Sequence, residues 1–492
     1  MPVRLRRLVE PVVLGLLALL IAMPSRAAAD GLADDLKARR ARLMDRLGPD
    51  AMFVAWSAPS RLYSLDIDYE YRQDSNLLYL TGLEQEETVL VLLPGHPSRR
   101  EILFVGEPNP MREHWTGHAL TREEASALTG IETVLYAAQF DRFIESVLDG
   151  KAFAATGEPG AFREALAANR AKLALLLEPR PGLRGPITPV YEFVSRIRER
   201  FFGFTVVDAT PHLAALRQVK TPYEQRVLAR SVEISADAHM AGMRAARPGR
   251  WEYEVEAAIE FVYLSNGAMR PGYPSIVGSG ANATVLHYNK SSRQMQAGDL
   301  LLVDAAANYQ GLTGDITRTY PVNGTFTPAQ KAIYQLVLAA QDAGMQAAVA
   351  GARTADIQKA AEGVVRQGLL ALGLITDASS NQFRTWWTHG IVHWIGMDVH
   401  DVGDNGVPLA PGMAFVMEPG LYIREAALDA LPKTPENEAF IAKVRPAVQK
   451  YKDIGIRIED SFLLTETGLT RLSAKVPRTV DEVEAFMRGS TR

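Results

Sequence analysis

"LLVDAAANYQGLTGDITRTY" (residues 301–320) sets the problem that the rest of the sequence answers. Residues 300–306 form an apolar run, residues 313–320 are rich in β-branched side chains, and Asn308-Tyr309-Gln310-Gly311 has turn composition. That pattern predicts a hairpin of two buried strands. Two aspartates, Asp304 and Asp315, interrupt it. A turn centred between Tyr309 and Gln310 would put Asp304 directly opposite Asp315. Opposed residues share one face of the ladder, where like charges repel. Two carboxylates so placed call for a counter-charge.

Further polar groups follow in equally apolar settings. "WWTHGIVHWIGMDVHD" (386–401) carries His389, His393 and His400, and "TVLHYNK" (284–290) carries His287. "FVMEPGLYI" (415–423) puts Glu418 at the end of an apolar strand, and "GIRIEDSFLLT" (455–465) puts Glu459 inside another. Any one carboxylate is explained by a solvated face or a paired structural group, and any one histidine by a hydrogen-bonded core position. The set is not. Four carboxylates buried together without cations would repel until their pKa values rose and they neutralised. A pair of divalent ions satisfies Asp304, Asp315, Glu418 and Glu459 together, with His393 completing the shell.

Composition narrows the ions. Among 492 residues there is no cysteine, which excludes disulfides, thiolate metal sites and a cysteine nucleophile. Asp, Glu and His must hold any metal, a donor set suited to manganese, cobalt, iron or zinc. Hydrophobic content of 47% and charged content of 22% are those of a globular protein with full cores. The net charge of −4 shows no basic excess, so neither nucleic acid nor an anionic membrane surface is expected as a partner. Residues 1–29 read as a secretory signal peptide: Arg4, Arg6 and Arg7, an apolar run at 12–23, then Ala27-Ala28-Ala29. The run is short for a membrane span, so cleavage and export to a periplasmic or extracellular location are expected, with no anchor left behind. Those residues hold four Arg and one Glu, and without them the charge moves from −4 to −7.

The chain divides near "VVDATPHLAALRQVKTPYE" (206–224). Before it, short apolar strands ("AMFVAW", "TVLVLLPG", "EILFVGEP") alternate with helices, one of them opened by the Thr-x-x-Glu of "TREEASALTG". Alternation of that kind predicts a three-layer α/β domain over 30–210. After it, helices over 222–246, 328–350 and 354–373 precede strand-like runs, which predicts an α+β domain over 211–492. Nothing resembles a Gly-rich phosphate loop.

The motifs "IVGSGANATVLHYN", "VDAAANYQGLTGDITRTYPVNG", "HGIVHWIGMDVHDVG", "MEPGLYI" and "GIRIEDSFLLT", in that order, resemble the pita-bread metallopeptidases: methionine aminopeptidase, prolidase and aminopeptidase P, with metal-free creatinase as a relative. "YRQDSNLLYLTGLEQEETVLVLLPG" (71–95) is similar to the accessory domain of aminopeptidase P and prolidase, which methionine aminopeptidases lack. The resemblance implies a pita-bread catalytic domain behind a creatinase-like accessory domain. It implies two divalent ions, manganese first, on Asp304, Asp315, His393, Glu418 and Glu459, with Asp315 and Glu459 bridging. It implies substrate and transition-state contacts from His287 and His400, Glu418 as general base, Tyr273 and His389 along a proline pocket, and Arg457 supporting the last ligand. The implied substrates are peptides with proline second, the implied assembly a homo-oligomer (dimer or tetramer). Prolidase activity on Xaa-Pro dipeptides, and a non-catalytic binding role, are the competing expectations. The chain departs from the pattern in two places: Asn76 stands where the family has Asp, with Asp74 nearby, and the charged segment 424–453 is longer than the pattern.

Overall fold

The computed structural model describes residues 31–177 and 187–489. The signal-like segment lies outside the described residues. Among them, no helix is long and apolar enough to cross a membrane.

The first half builds a mixed six-stranded sheet. Its order is Thr133–Tyr136, Glu101–Val105, Val89–Leu92, Ala51–Trp56, Ala171–Leu175, Phe204–Asp208. Alternate residues of one strand serve opposite cores. Met52 and Val54 face one core with Phe140 and Phe193, while Phe53 and Ala55 face another with Leu43 and Met44. Both faces of the sheet are therefore covered by helices, which is the three-layer arrangement that the strand–helix alternation predicts. The Thr-x-x-Glu signal holds as read, with Thr121 and Glu124 forming a capping box on helix Arg122–Thr129, and Gly48 closes helix Leu32–Leu47.

The second half packs helix Pro222–Ala245 against Glu252–Ser265, and Pro328–Ala347 against Thr354–Ala371, around short antiparallel sheets. The core under the first sheet runs on into this half, reaching Ile316 beside Asp315 and Ile395 beside the His393 segment. The charged segment 424–453 folds into helices Glu425–Asp429 and Pro435–Tyr451. The longer one buries Phe440, Val444, Val448 and Tyr451 in the main core. Its length is thus spent on a packed helix with a charged outer face.

The expected pairing of Asp304 with Asp315 is not formed. Tyr309 pairs with Leu312, and Asp304 pairs with Thr317. The two-residue turn is Gln310-Gly311, with φ of 48° and 82°, the left-handed pair that a type I′ hairpin needs. The ladder also breaks. Leu300–Asp304 joins one sheet and Ala307–Tyr309 another, and Asp315 sits in the interruption with its N–H bonded to Ser461 Oγ at 3.0 Å.

Opposed carboxylates occur instead in the second hairpin. Met417 pairs with Asp460 and Gly420 with Arg457, one continuous register that sets Glu418 opposite Glu459. Pro419 has no N–H to give, and the ladder opens there. The side-chain amide of Gln341 fills the gap, bonding the carbonyls of Met417 (3.0 Å) and Ile458 (3.2 Å). A bridge between Thr317 and Glu459 then joins the two hairpins.

Candidate metal centre

Every donor sits where regular pairing stops. Asp304 ends a strand, Asp315 lies in the break of the first hairpin, and Glu418 and Glu459 occupy the break of the second. His393 comes from an extended segment laid along strand Ala414–Met417: Val416 N–H bonds the His393 carbonyl at 3.0 Å, and Glu418 N–H bonds the Ile391 carbonyl at 2.9 Å. Strand ends allow side chains from four segments to converge, which a continuous ladder would prevent.

The geometry suits a divalent cation. His393 Nδ1–H donates to the Trp394 carbonyl at 3.1 Å, so Nε2 carries the lone pair. That nitrogen faces three carboxylate oxygens: Asp315 at 3.5 Å, Glu418 at 3.5 Å and Glu459 Oε1 at 3.8 Å. Donor atoms of Asp315, His393 and Glu459 all lie within 4.8 Å of one another. Glu459 Oε1 is buried and has no hydrogen-bond partner among the described residues. Acceptors facing acceptors, with a buried orphan among them, fit divalent metal and little else. The carboxylates register the same stress. Burial first, and then neighbouring carboxylates, push Asp315 and Glu459 well above the ordinary range. Burial, opposed by Arg457, pushes Glu418 up to about 8. Burial, reinforced by His400, lowers His393 to about 4, which keeps its ring neutral as a ligand must be.

Asp304 stands to one side. Its Oδ2 takes a hydrogen bond from Arg457 Nη2 at 2.6 Å, and its Oδ1 one from Tyr273 at 2.6 Å. The Tyr273 hydroxyl also lies against Asp315. Tyr273, expected along the proline pocket, and Arg457, expected behind Glu459, thus both sit against Asp304. Arg457 is almost wholly buried, and it continues through Tyr422 (2.8 Å) to His389. The proton positions follow from chemistry. Arginine can only donate, so Tyr422 gives its own proton to His389 Nε2 at 2.8 Å, and His389 Nδ1–H goes to the Gly390 carbonyl at 2.7 Å. Burial, with Arg457 nearby, lowers His389 to about 4, consistent with that neutral ring.

His400 stacks edge-on to His393 with ring centroids 4.2 Å apart. His287 is exposed and close enough to both His389 and His400 to depress their charging. All ten sequence-derived site residues therefore gather in one place. Sequence reasoning missed two: Tyr422, and Thr317, which donates to Glu459 Oε2 at 2.7 Å and accepts from Arg457 Nε at 3.1 Å. Their only signal was a hydroxyl in a buried strand. Asp74 caps helix Ser75–Thr81, and Asn76 Oδ1 accepts from Arg217 at 2.8 Å.

Comparison with known proteins places this geometry in a family. The model of metallopeptidase family M24 matches residues 226–466, and that of the aminopeptidase P N-terminal domain matches 36–154. The chain is 34% identical over 465 residues to the Xaa-Pro aminopeptidase of Escherichia coli, covering 92% of this chain and 97% of the relative. Human Xaa-Pro dipeptidase is 34% identical over 307 residues, covering 57% of this chain and 62% of the relative. Among solved structures, E. coli aminopeptidase P with the inhibitor Pro-Leu superposes with a TM-score of 0.80 at 31% identity, covering 93% of this chain and 99% of that one.

Proposed function

This chain belongs to metallopeptidase family M24, and we propose on that premise that it is a metal-dependent Xaa-Pro aminopeptidase, releasing the N-terminal residue of peptides with proline second. The observation that carries the activity is the lone pair of His393 Nε2 facing three carboxylates, a cage for divalent metal. The observation that favours aminopeptidase over dipeptidase is coverage: the aminopeptidase relative aligns through the accessory domain, the dipeptidase over 57% of the chain.

Asp304, Asp315, His393, Glu418 and Glu459 would hold two ions, with manganese the first candidate for an oxygen-rich set bearing one imidazole. Divalent ions there supply Lewis acidity and an activated water. The chain's own groups do the rest. Glu418 is the most open of the carboxylates, with 17% of its side chain exposed against 2% for Glu459, and so is placed to take a proton from water as general base. His400 and His287 border the cage and donate hydrogen bonds to the charge that develops on the scissile carbonyl oxygen. Tyr273 and Arg457 hold Asp304 in one orientation, as groups behind a ligand must.

The test is a comparison of Xaa-Pro-Yaa peptides with matching Xaa-Pro dipeptides in the presence of manganese. Higher kcat/KM on the longer peptides is expected. The reverse order, with tripeptides left uncut, would make the chain a dipeptidase. Export belongs to the same proposal, supported by the charged, apolar and small-residue order of residues 1–29. The mature chain is expected to begin near Asp30 by N-terminal sequencing. Soluble protein that retains Met1 would count against export and leave the chemistry untouched.

A further inference from the structure

The segment from His393 to His400 supplies both a proposed ligand and a proposed substrate contact, yet it has no regular structure beyond one bridge at Trp394. It returns on itself, with Asp401 N–H bonded to the Trp394 carbonyl at 2.8 Å. Something other than a ladder must therefore set where His400 points. Its neighbours Asp398 and Asp401 touch none of the metal-site carboxylates. Asp401 has no exposed side-chain surface and lies between Arg217 and Lys220, the latter at 2.8 Å. Arg217 Nη2 reaches Asp398 as well, at 2.8 Å. Gln218 clamps the far end of the turn, donating to the Asp404 carbonyl at 3.0 Å and accepting its N–H at 3.2 Å. Three residues of the seam between the domains thus hold one active-site segment.

The accessory domain reaches the same point. Asn76 accepts from Arg217 Nη1 at 2.8 Å, and Ser75 Oγ donates to Asp398 at 2.9 Å. Packing leaves no slack, since a Cβ added at Gly396 would collide with the Asp401 carboxylate and come within 2.7 Å of Lys220 Nζ. Burial opposes the charge on Asp401, but Lys220 and Arg217 outweigh it and hold the carboxyl below its ordinary range. A buried ion network of this kind is weak evidence for stability, because well-packed apolar residues serve as well. It is better suited to enforcing one geometry.

We propose that Arg217 and Lys220, paired with Asp398 and Asp401, form a positioning clamp that orients His400 and links it to the accessory domain through Ser75 and Asn76. The inference rests on the reading of His400 as a substrate contact. Each clamp residue acts through the segment that carries His400.

The test leaves the buried charges paired and removes the two uncharged accessory-side contacts, while Arg72 keeps its 3.0 Å bond to Asp398. Ser75→Ala with Asn76→Ala is expected to lower kcat about tenfold, since misplacement on the order of 1 Å can lower turnover by up to ~10²-fold. KM and bound metal should stay within about twofold of the parent. Asn76→Asp keeps an acceptor for Arg217 and should retain the parent kcat. In a His400→Ala background the same double substitution should add less than about twofold, because its effect passes through His400. Hydrogen exchange of amides 395–404 should quicken in the double variant, with Leu300–Asp304 unchanged. Unaltered kcat, an undiminished loss in the His400→Ala background, or unaltered exchange would each overturn the clamp. Faster exchange at 395–404 in a protein whose parent cleaves no Xaa-Pro peptide would uphold the clamp and remove the peptidase reading instead.

Discussion

Glu459→Gln is expected to lower kcat by about 10³-fold or more, because the metal contribution to such a reaction is several kcal/mol and each ~1.4 kcal/mol is tenfold. The substitution preserves shape. Glutamine still offers an oxygen to Thr317 Oγ1, now 2.7 Å from Glu459 Oε2, and it fills the same buried volume. What it removes is the anion whose other oxygen has no partner and faces His393 Nε2 at 3.8 Å. An amide N–H in that position would donate to the imidazole or to Glu418. The metal-free variant should therefore unfold at a higher temperature than the metal-free parent, even as activity disappears. Asp315→Asn should behave alike, as the second proposed bridge. Turnover within tenfold of the parent, with metal still bound, would mean that Glu459 is no ligand. A lower melting temperature for the metal-free variant would mean that the carboxylates are not in conflict.

Stripping the metal should also reverse the pH dependence of stability. Asp315, Glu418 and Glu459 have folded pKa values raised by burial, with neighbouring carboxylates adding to the effect and Arg457 opposing it, Glu418 reaching about 8. Between the ordinary carboxylate range and those values, the folded state holds protons that the unfolded chain has released. Stability then falls as pH rises. Metal-free protein should be most stable below the ordinary range and lose stability, on the order of several kcal/mol, as pH climbs toward about 8. Asp401 works the other way, because its depressed value stabilises above the ordinary range and is lost on acidification. That term is common to both forms, so the informative quantity is the gap between metal-loaded and metal-free curves. The gap should widen with pH, since binding requires deprotonated ligands. Parallel denaturation curves from pH 5 to 8, a range lying between the ordinary carboxylate value of ~4 and the raised value of about 8, would sink the account.

Much of the architecture was legible in short stretches. The Thr121–Glu124 box, the Gly48 stop and the alternation of Met52 and Val54 with Phe53 and Ala55 are rules that act within a few residues, and they hold. The charged segment 424–453, longer than the family pattern, holds the helix Pro435–Tyr451. Its apolar positions Phe440, Val444 and Val448 recur every fourth residue, a signal available but not used. The opposition of Asp304 and Asp315 failed for a local reason. One residue decides a hairpin's register, and the left-handed pair Gln310-Gly311 moved the turn along by that much.

The candidate donor set, with its exclusion of thiolates, was legible in the sequence alone: four acids and one imidazole in apolar stretches, which call for cations if they are buried together. Only the tertiary structure decided how they meet. It set Glu418 against Glu459 across a broken ladder, brought Arg457 through Tyr422 to His389, and put Arg217 between Asn76 and Asp401, residues 141 and 184 positions away. Burial penalties depend on what each residue is and can be counted along the chain. Hydrogen bonds and ion pairs depend on distances of about 3 Å between segments far apart in sequence, and those exist only once the layers have packed.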